Sequence, residues 1–194
     1  MMSAEYAIPA YPKELTLRDG SMVSIRALQS DDDGRLLDFF LGISDEERYF
    51  LKDDVTAPTV VRSWTAHLDY DRALPLVALD GDRIVAEAVL VRKRGNARSH
   101  IGEARVAVAP EWRDRGLGTA LMRELCDVAD DAELDKVLFE VVADCEDPAL
   151  QAASAMGFVR IGTIEGGARD QRGHLHDVII LAMPLGKYYR WSKY

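Results

Sequence analysis

Cysteine is scarce in this chain. Two occur in 194 residues, Cys126 and Cys145, at no spacing that suits a metal or a disulfide framework, so a reducing compartment is the expectation. Basic residues are also in short supply: 24 Lys and Arg against 33 Asp and Glu leave a formal net charge of −9. That deficit argues against nucleic acid or an anionic membrane as the main partner and favours a cationic acceptor such as an amine. No apolar run reaches the ~20 residues of a membrane span, and no basic segment followed by an apolar block opens the chain. The cytoplasm is therefore the expected location, with no membrane partner. Repeats and low-complexity tracts are absent. A chain of 194 residues, 48% of them hydrophobic, suits one domain with a full core.

Along that chain, residues 1–14, with Pro9 and Pro12 and little pattern, read as a loose arm. Residues 15–185 read as the single domain. Alternating Leu15 to Arg18 and Met22 to Arg26 around Asp19-Gly20 predict a hairpin, because that dipeptide tolerates the positive φ of a tight turn. Asp31 to Asp33 can cap a helix carrying Leu36, Leu37, Phe39, Phe40 and Leu41, Ser44-x-x-Glu47 reads as a capping box, and Pro58 opens a third helix. A second hairpin turns at Asp80-Gly81 into a strand from Arg83 to Arg92. The basic stretch from Arg92 to Arg98 is a solvated loop leading to a strand over His100–Val108. Val137 to Ala143 is a strand buried on both faces, Pro148 to Met156 a helix ended by Gly157, and Val159–Ile164 and His176–Met183 are the last strands. Residues 186–194, aromatic and basic, form a tail that packs on its own domain or on a second copy, leaving monomer and homodimer both open.

One stretch organises the rest, running from Val106 to Leu125: a short apolar strand, a basic turn with Gly116 and Gly118, then a helix with Leu117, Leu121, Leu125, Val128 and Ala129 on one stripe. The glycines let backbone pass close to a ligand, and a helix start offers unpaired N–H groups and a positive dipole end. With Arg113 and Arg115 beside it, the turn reads as a cradle for phosphate. On glycine spacing alone, an ordinary strand-to-helix connection is the alternative. A dinucleotide-binding oxidoreductase is rejected, because Leu121 stands where its third glycine would be.

Val108-x-Pro110-x-x-Arg113-x-x-Gly116-x-Gly118-x-x-Leu121 resembles the pyrophosphate motif of the GNAT superfamily of N-acetyltransferases, and Asp147 to Gly157-Phe158 resembles that family's following helix. Leu17-Arg-Asp-Gly, Ile25-Arg-Ala-Leu, Ser44-Asp-Glu-Glu-Arg-Tyr-Phe50 and Gly102-Glu103-Ala-Arg-Val-Ala-Val are similar to the GNAT domains of bacterial protein lysine acetyltransferases. The resemblance implies an α/β fold with a mixed central sheet flanked by helices. Its parallel strands Glu103–Val108 and Val137–Ala143 splay after a bulge, and the pantetheine arm of acetyl-CoA enters the gap. It implies acetyl-CoA as cosubstrate, held by Val106, Val108, Arg113, Asp114, Arg115, Gly116, Leu117, Gly118 and Thr119. Glu103 is then the general base that deprotonates an amine, on a protein lysine or a small cationic molecule, for direct attack in a ternary complex. A strand glutamate pairing with Arg105 is the plainer reading of the same residue.

The sequence departs from the family at Ala153, where many members carry a Tyr that protonates the leaving thiolate, and at Glu146, near the usual Asn. Those departures keep open a module that binds acyl-CoA without turnover. His174 and His176 are alternative bases, or ligands with Asp177, though without an evident further ligand no metal is expected. Cys145 could take the acetyl group covalently, but no partner histidine is visible from sequence.

Overall fold

Both Asp-Gly turns join antiparallel strands, and these hairpins build the first half of one sheet. The structure, a computed structural model, describes residues 10–51, 53–92 and 97–186. The arm through residue 9, residues 93–96 of the basic loop and the tail from 187 lie outside the described residues. In chain order the elements are β1 (Lys13–Thr16), β2 (Met22–Ala27), α1 (Asp33–Leu41), α2 (Asp45–Arg48), α3 (Pro58–Ala66), β3 (Ala73–Asp80) and β4 (Arg83–Arg92). There follow β5 (Ile101–Val108), a 3-10 turn at Pro110–Trp112, α4 (Leu117–Asp131), β6 (Lys136–Val142), α5 (Asp147–Met156), β7 (Val159–Arg169) and β8 (Leu175–Pro184).

Eight strands form one mixed sheet in the order β1-β2-β3-β4-β5-β6-β8-β7. Among them β5 and β6 run parallel, which requires a crossover, and α4 supplies it. Its stripe of Leu117, Leu121, Leu125, Val128 and Ala129 is buried against β4, β5 and β6 as the spacing predicts. On the other flank α1 packs on β4 and α3 on α1.

The parallel pairing is short. It runs from Ile101 opposite Lys136 to Ala104 opposite Phe139, after which both strands continue without pairing to each other. The expected bulge is not what parts them: β4 and β5 stay in unbroken register from Ala86 opposite Val108 to Arg92 opposite Gly102. Each strand instead keeps faith with its antiparallel neighbour, β5 with β4 and β6 with β8 from Lys136 opposite Pro184 to Val142 opposite Val178. Two sheet halves of independent twist therefore diverge at the seam between them.

Capping at the first helix also differs from expectation. Asp32 occupies the N-cap position, but its carboxylate makes no cap bond. It is fully buried and accepts hydrogen bonds from Arg26 Nη1 at 2.6 Å, Arg26 Nη2 at 2.8 Å, Gln29 N at 2.8 Å and Arg35 Nη1 at 3.0 Å. A guanidinium that grips both oxygens outcompetes a single helix N–H. Burial pushes the Asp32 carboxyl up, yet the bonds from Arg26 and Gln29 hold it below the usual carboxylate range.

Candidate active site

The turn after β5 has the geometry of an anion cradle. Gly116 sits at the N-cap of α4 with φ +88°, a conformation that disfavours any side chain, and a Cβ there would lie 3.1 Å from Arg18 Nε. Gly118 differs, since its added Cβ would meet Val108 Cγ2 at 3.5 Å and Val106 Cγ1 at 3.9 Å, both ordinary contacts. The fold itself thus tolerates a carbon at 118. The first helical bond is Ala120 N to Gly116 O at 3.0 Å, so the N–H groups of Leu117, Gly118 and Thr119 donate to nothing among the described residues.

The two expected counter-charges are already partnered. Arg113 donates through Nε to Val108 O at 3.1 Å and pairs with Glu47, whose carboxyl it holds below its usual range. Arg115 lies 3.1 Å from Asp19, donates to Glu111 O and stacks its guanidinium over the Trp112 ring. Asp114, with φ +60°, turns the chain between them. Arg18 is different. Its backbone N–H donates to Arg115 O at 3.1 Å and its stem packs on Gly116, while its guanidinium has no ion pair or hydrogen bond among the described residues.

Strand alternation divides β5 between two faces. Val106 and Val108 lie under α4, as their approach to Gly118 requires, whereas Glu103, Arg105 and Ala107 project to the opposite face. There Arg105 Nε donates to Glu103 Oε1 at 3.2 Å, and Arg105 Nη1 reaches Asp53 Oδ2 at 3.4 Å. Glu103 keeps 28% of its side chain exposed. On β4, Glu87 is opposite Ala107 and shares this face. It is 9% exposed, and burial pushes its carboxyl up to about 7 against the pull of Arg105. Beyond Asp53 opens a cavity of about 650 Å³ lined by Leu41, Tyr49, Leu51, Asp45, Asp54 and Gln171 among others.

A raised carboxyl makes a sign-definite prediction. The unfolded Glu87 ionises near 4.5 and the folded one near 7, so its share of stability is lost as pH rises through that window and stays lost above it. At about 1.36 kcal/mol per unit this amounts to about 3 kcal/mol. Urea titrations at pH ~4.5 and ~8 are expected to show Glu87→Gln gaining that much on wild type at the higher pH. Equal differences at both values exclude the shift.

These features have relatives. Residues 38–158 match the model of the Acetyltransferase (GNAT) family. The chain is a member of that family. Its sheet and helices superpose on the GNAT domain of S. lividans PAT with a TM-score of 0.75 at 23% identity, over 89% of this chain and 96% of that one. Ribosomal-protein-S5-alanine acetyltransferase from Vibrio fischeri superposes with a TM-score of 0.71 at 16% identity, over 86% and 94% of the two chains. L-amino acid N-acetyltransferase AaaT of Escherichia coli (strain K12) is 30% identical over 89 residues, 45% of this chain and 54% of that protein. The chain thus matches about half the length of that curated relative. The family is one of acetyltransferases, and the superposition shows that this chain has the fold of such a domain.

Against the GNAT frame, the other candidates fall into place. His174 Nδ1 lies 3.0 Å and His176 Nε2 3.6 Å from Asp170, while Asp177 accepts from Gly166 N at 2.9 Å. Among the described residues no such set is arranged to hold a metal ion. The partner for Cys145 does exist: His176 Nδ1 is 3.7 Å from its Sγ. Partial burial and the carboxylates of Glu146, Asp144, Asp170 and Asp147 nevertheless push that thiol's pKa up, away from the thiolate a nucleophile needs. Cys126 is buried on α4, with its pKa pushed up to about 12 by desolvation. Ala153, in place of the usual Tyr, is buried and brings no proton donor. Glu146, near the usual Asn, accepts from Val142 N at 2.6 Å, and burial pushes its carboxyl up against that bond. Among described residues no helix is long and apolar enough to cross a membrane.

Two residues escaped sequence reasoning. Glu87 carried a signal, being the single charge between Ile84 and Leu90 in an otherwise apolar run. Arg18 carried none, because nothing local says that the first hairpin turn docks on α4.

Proposed function

We propose that the enzyme moves the acetyl group of acetyl-CoA to a primary amine by direct attack in a ternary complex. The observation that carries this reading is the opened seam between β5 and β6, with the donor-rich start of α4 at one end and Glu103 on the face beyond. The N–H groups of Leu117, Gly118 and Thr119, with Arg18, suit a pyrophosphate. Backbone groups of Val106 and the N–H of Val108, on the edge where the ladder to β6 stops, suit the amides of pantetheine as an added strand would, while Val108 O is taken by Arg113 Nε. Acetyl-CoA supplies an activated thioester. An ammonium with pKa near ~10.4 must lose a proton before its nitrogen can attack, and Glu103 accepts it directly or through a water. With Ala153 at the family's usual acid position, the thiolate, of pKa near ~8.5, leaves without a protein acid.

Carboxyls at 53, 87 and 103 favour a cationic acceptor, either a protein lysine or a small amine. Arg105 on the same face supports a second acceptor class, the α-amino acids, because a guanidinium receives a carboxylate. The Escherichia coli relative is named for such substrates. Thiol release from acetyl-CoA, measured against lysine peptides, polyamines, aminoglycosides and free amino acids, tests the reading. Silence across the whole panel counts against it.

Arg18 gives a further prediction. A hydrogen bond to a charged group is worth about 1.5–3 kcal/mol, so Arg18→Gln is expected to weaken CoA binding ~10-fold or more. Because Arg113 and Arg115 are partly neutralised by Glu47 and Asp19, their glutamine variants are expected to lose less. Calorimetry that ranks the three the other way refutes the assignment.

A further inference from the structure

The run of β4 from Ile84 to Leu90 is the inside of the sheet, and Glu87 is the one charged residue in it. Its neighbours explain why burial there is tolerable. On β3 the opposite residue is Val77, α1 packs on β4 and buries Leu36, Phe39 and Phe40, and on β5 the opposite residue is Ala107. Among the described residues, the charged groups that act on Glu87 are Arg105 from β5 and Asp53 from the segment between α2 and α3. Neither forms a hydrogen bond or ion pair with it among the described residues. Arg105 instead uses Nε on Glu103 at 3.2 Å and Nη1 on Asp53 at 3.4 Å. Both contacts exceed the 2.7–2.9 Å of a well-formed charge-assisted bond, so neither carboxylate holds the guanidinium firmly.

A buried, nine-tenths covered carboxyl beside a loosely held guanidinium is an arrangement with two charge states. We propose that Glu87 is a positioning residue: through Arg105 it sets how much positive charge rests on Glu103, and thereby how readily Glu103 accepts the acceptor's proton. The proposal rests on the reading of Glu103 as the base.

With Glu87 uncharged, the Arg105 guanidinium serves Glu103 and Asp53, and a carboxylate so neutralised is a weak base. Once Glu87 is charged, the guanidinium has a third claimant in a medium of low dielectric, where attraction is stronger than in water. Glu103 then loses part of its neutralisation and its basicity rises. Desolvation places this change near pH about 7. A purely structural Glu87 would alter stability and leave the basicity of Glu103 where it was.

The test follows the Glu103 side-chain carboxyl by carbon NMR in the free protein across the pH range, in wild type, Glu87→Gln and Arg105→Gln. The expected result is an inflection near neutral pH in the wild-type Glu103 signal that both variants lose. In parallel, kcat/KM for the best amine is expected to show an ionisation near neutral pH in wild type that Glu87→Gln lacks, with KM for acetyl-CoA unchanged. Glu103→Gln separates the two readings. Full activity in Glu103→Gln overturns the assignment of the base and this proposal with it. An inactive Glu103→Gln, together with a Glu87→Gln whose Glu103 signal and rate profile superpose on wild type, overturns this proposal alone. Melting curves establish that each variant is folded, and Arg105→Gln keeps the test decisive if Glu87→Gln is not.

Discussion

Glu103→Gln is expected to lower kcat for amine acetylation by about 10²–10⁴-fold while leaving acetyl-CoA affinity nearly intact. The glutamine keeps the shape of the side chain and a hydrogen-bond acceptor for Arg105 Nε, now 3.2 Å from Glu103 Oε1, so packing on that face is retained. What it removes is the ability to hold a proton. The loss falls on the step after binding because the donor-rich start of α4, where CoA is anchored in the proposed complex, lies at the other end of β5. Steady-state rates against both substrates separate kcat from KM. Retained activity at every pH would make the histidines at 174 and 176 the leading bases. His174 Nδ1 is hydrogen-bonded to Asp170 at 3.0 Å, a carboxylate partner of the kind that orients an imidazole for such work, whereas His176 Nε2 lies 3.6 Å from the same carboxylate.

Gly118→Ala, which adds only the Cβ, is expected to weaken CoA binding strongly in a protein that still folds. The reason lies in the contrast between neighbouring glycines. At Gly116 the φ of +88° and the Arg18 stem bar a side chain for reasons internal to the protein, whereas at Gly118 an added Cβ meets Val108 and Val106 at ordinary distance. Freedom from a side chain at 118 is thus unnecessary to the fold and useful to a ligand approaching the helix start. Two or three lost bonds to charged oxygens, at about 1.5 kcal/mol or more each, correspond to a ~100- to 1000-fold loss of affinity. Calorimetry with CoA, alongside a melting curve within a few degrees of wild type, checks both halves. Unchanged affinity would remove the cradle from the mechanism.

Local pattern carried much of the fold. The two Asp-Gly hairpins, the stripe on α4 and the glycine that ends α5 all lie where spacing and turn chemistry place them, whereas β6, expected to be buried on both faces, leaves Leu138, Phe139 and Glu140 half-buried. Each of these depends on interactions within a few residues, so a linear reading reaches them. The last two strands run longer than their apolar patterns, to Arg169 and from Leu175, because hairpin pairing extends a strand past its hydrophobic stretch. The site was legible in part. Glycines 116 and 118 and Glu103 stand out by type and position, but the partners of charged residues do not, since these come from elements far apart in the chain.

Sequence alone determined that this is an acidic α/β chain with a basic, glycine-containing turn opening a helix, because hydrophobic period, turn dipeptides and net charge are properties of the chain itself. Tertiary structure decided three things. It ended the β5–β6 ladder at Ala104 and Phe139, since each strand follows a different antiparallel neighbour. It matched Arg113 with Glu47, 66 residues away, and Asp32 with Arg26, leaving Arg18 beside Gly116 with no ion pair among the described residues. It also buried Glu87 beside Arg105 and Asp53. Charge is written in the sequence, but its neutralisation and its solvent are not. Both depend on which distant residues the packing brings within a few ångströms.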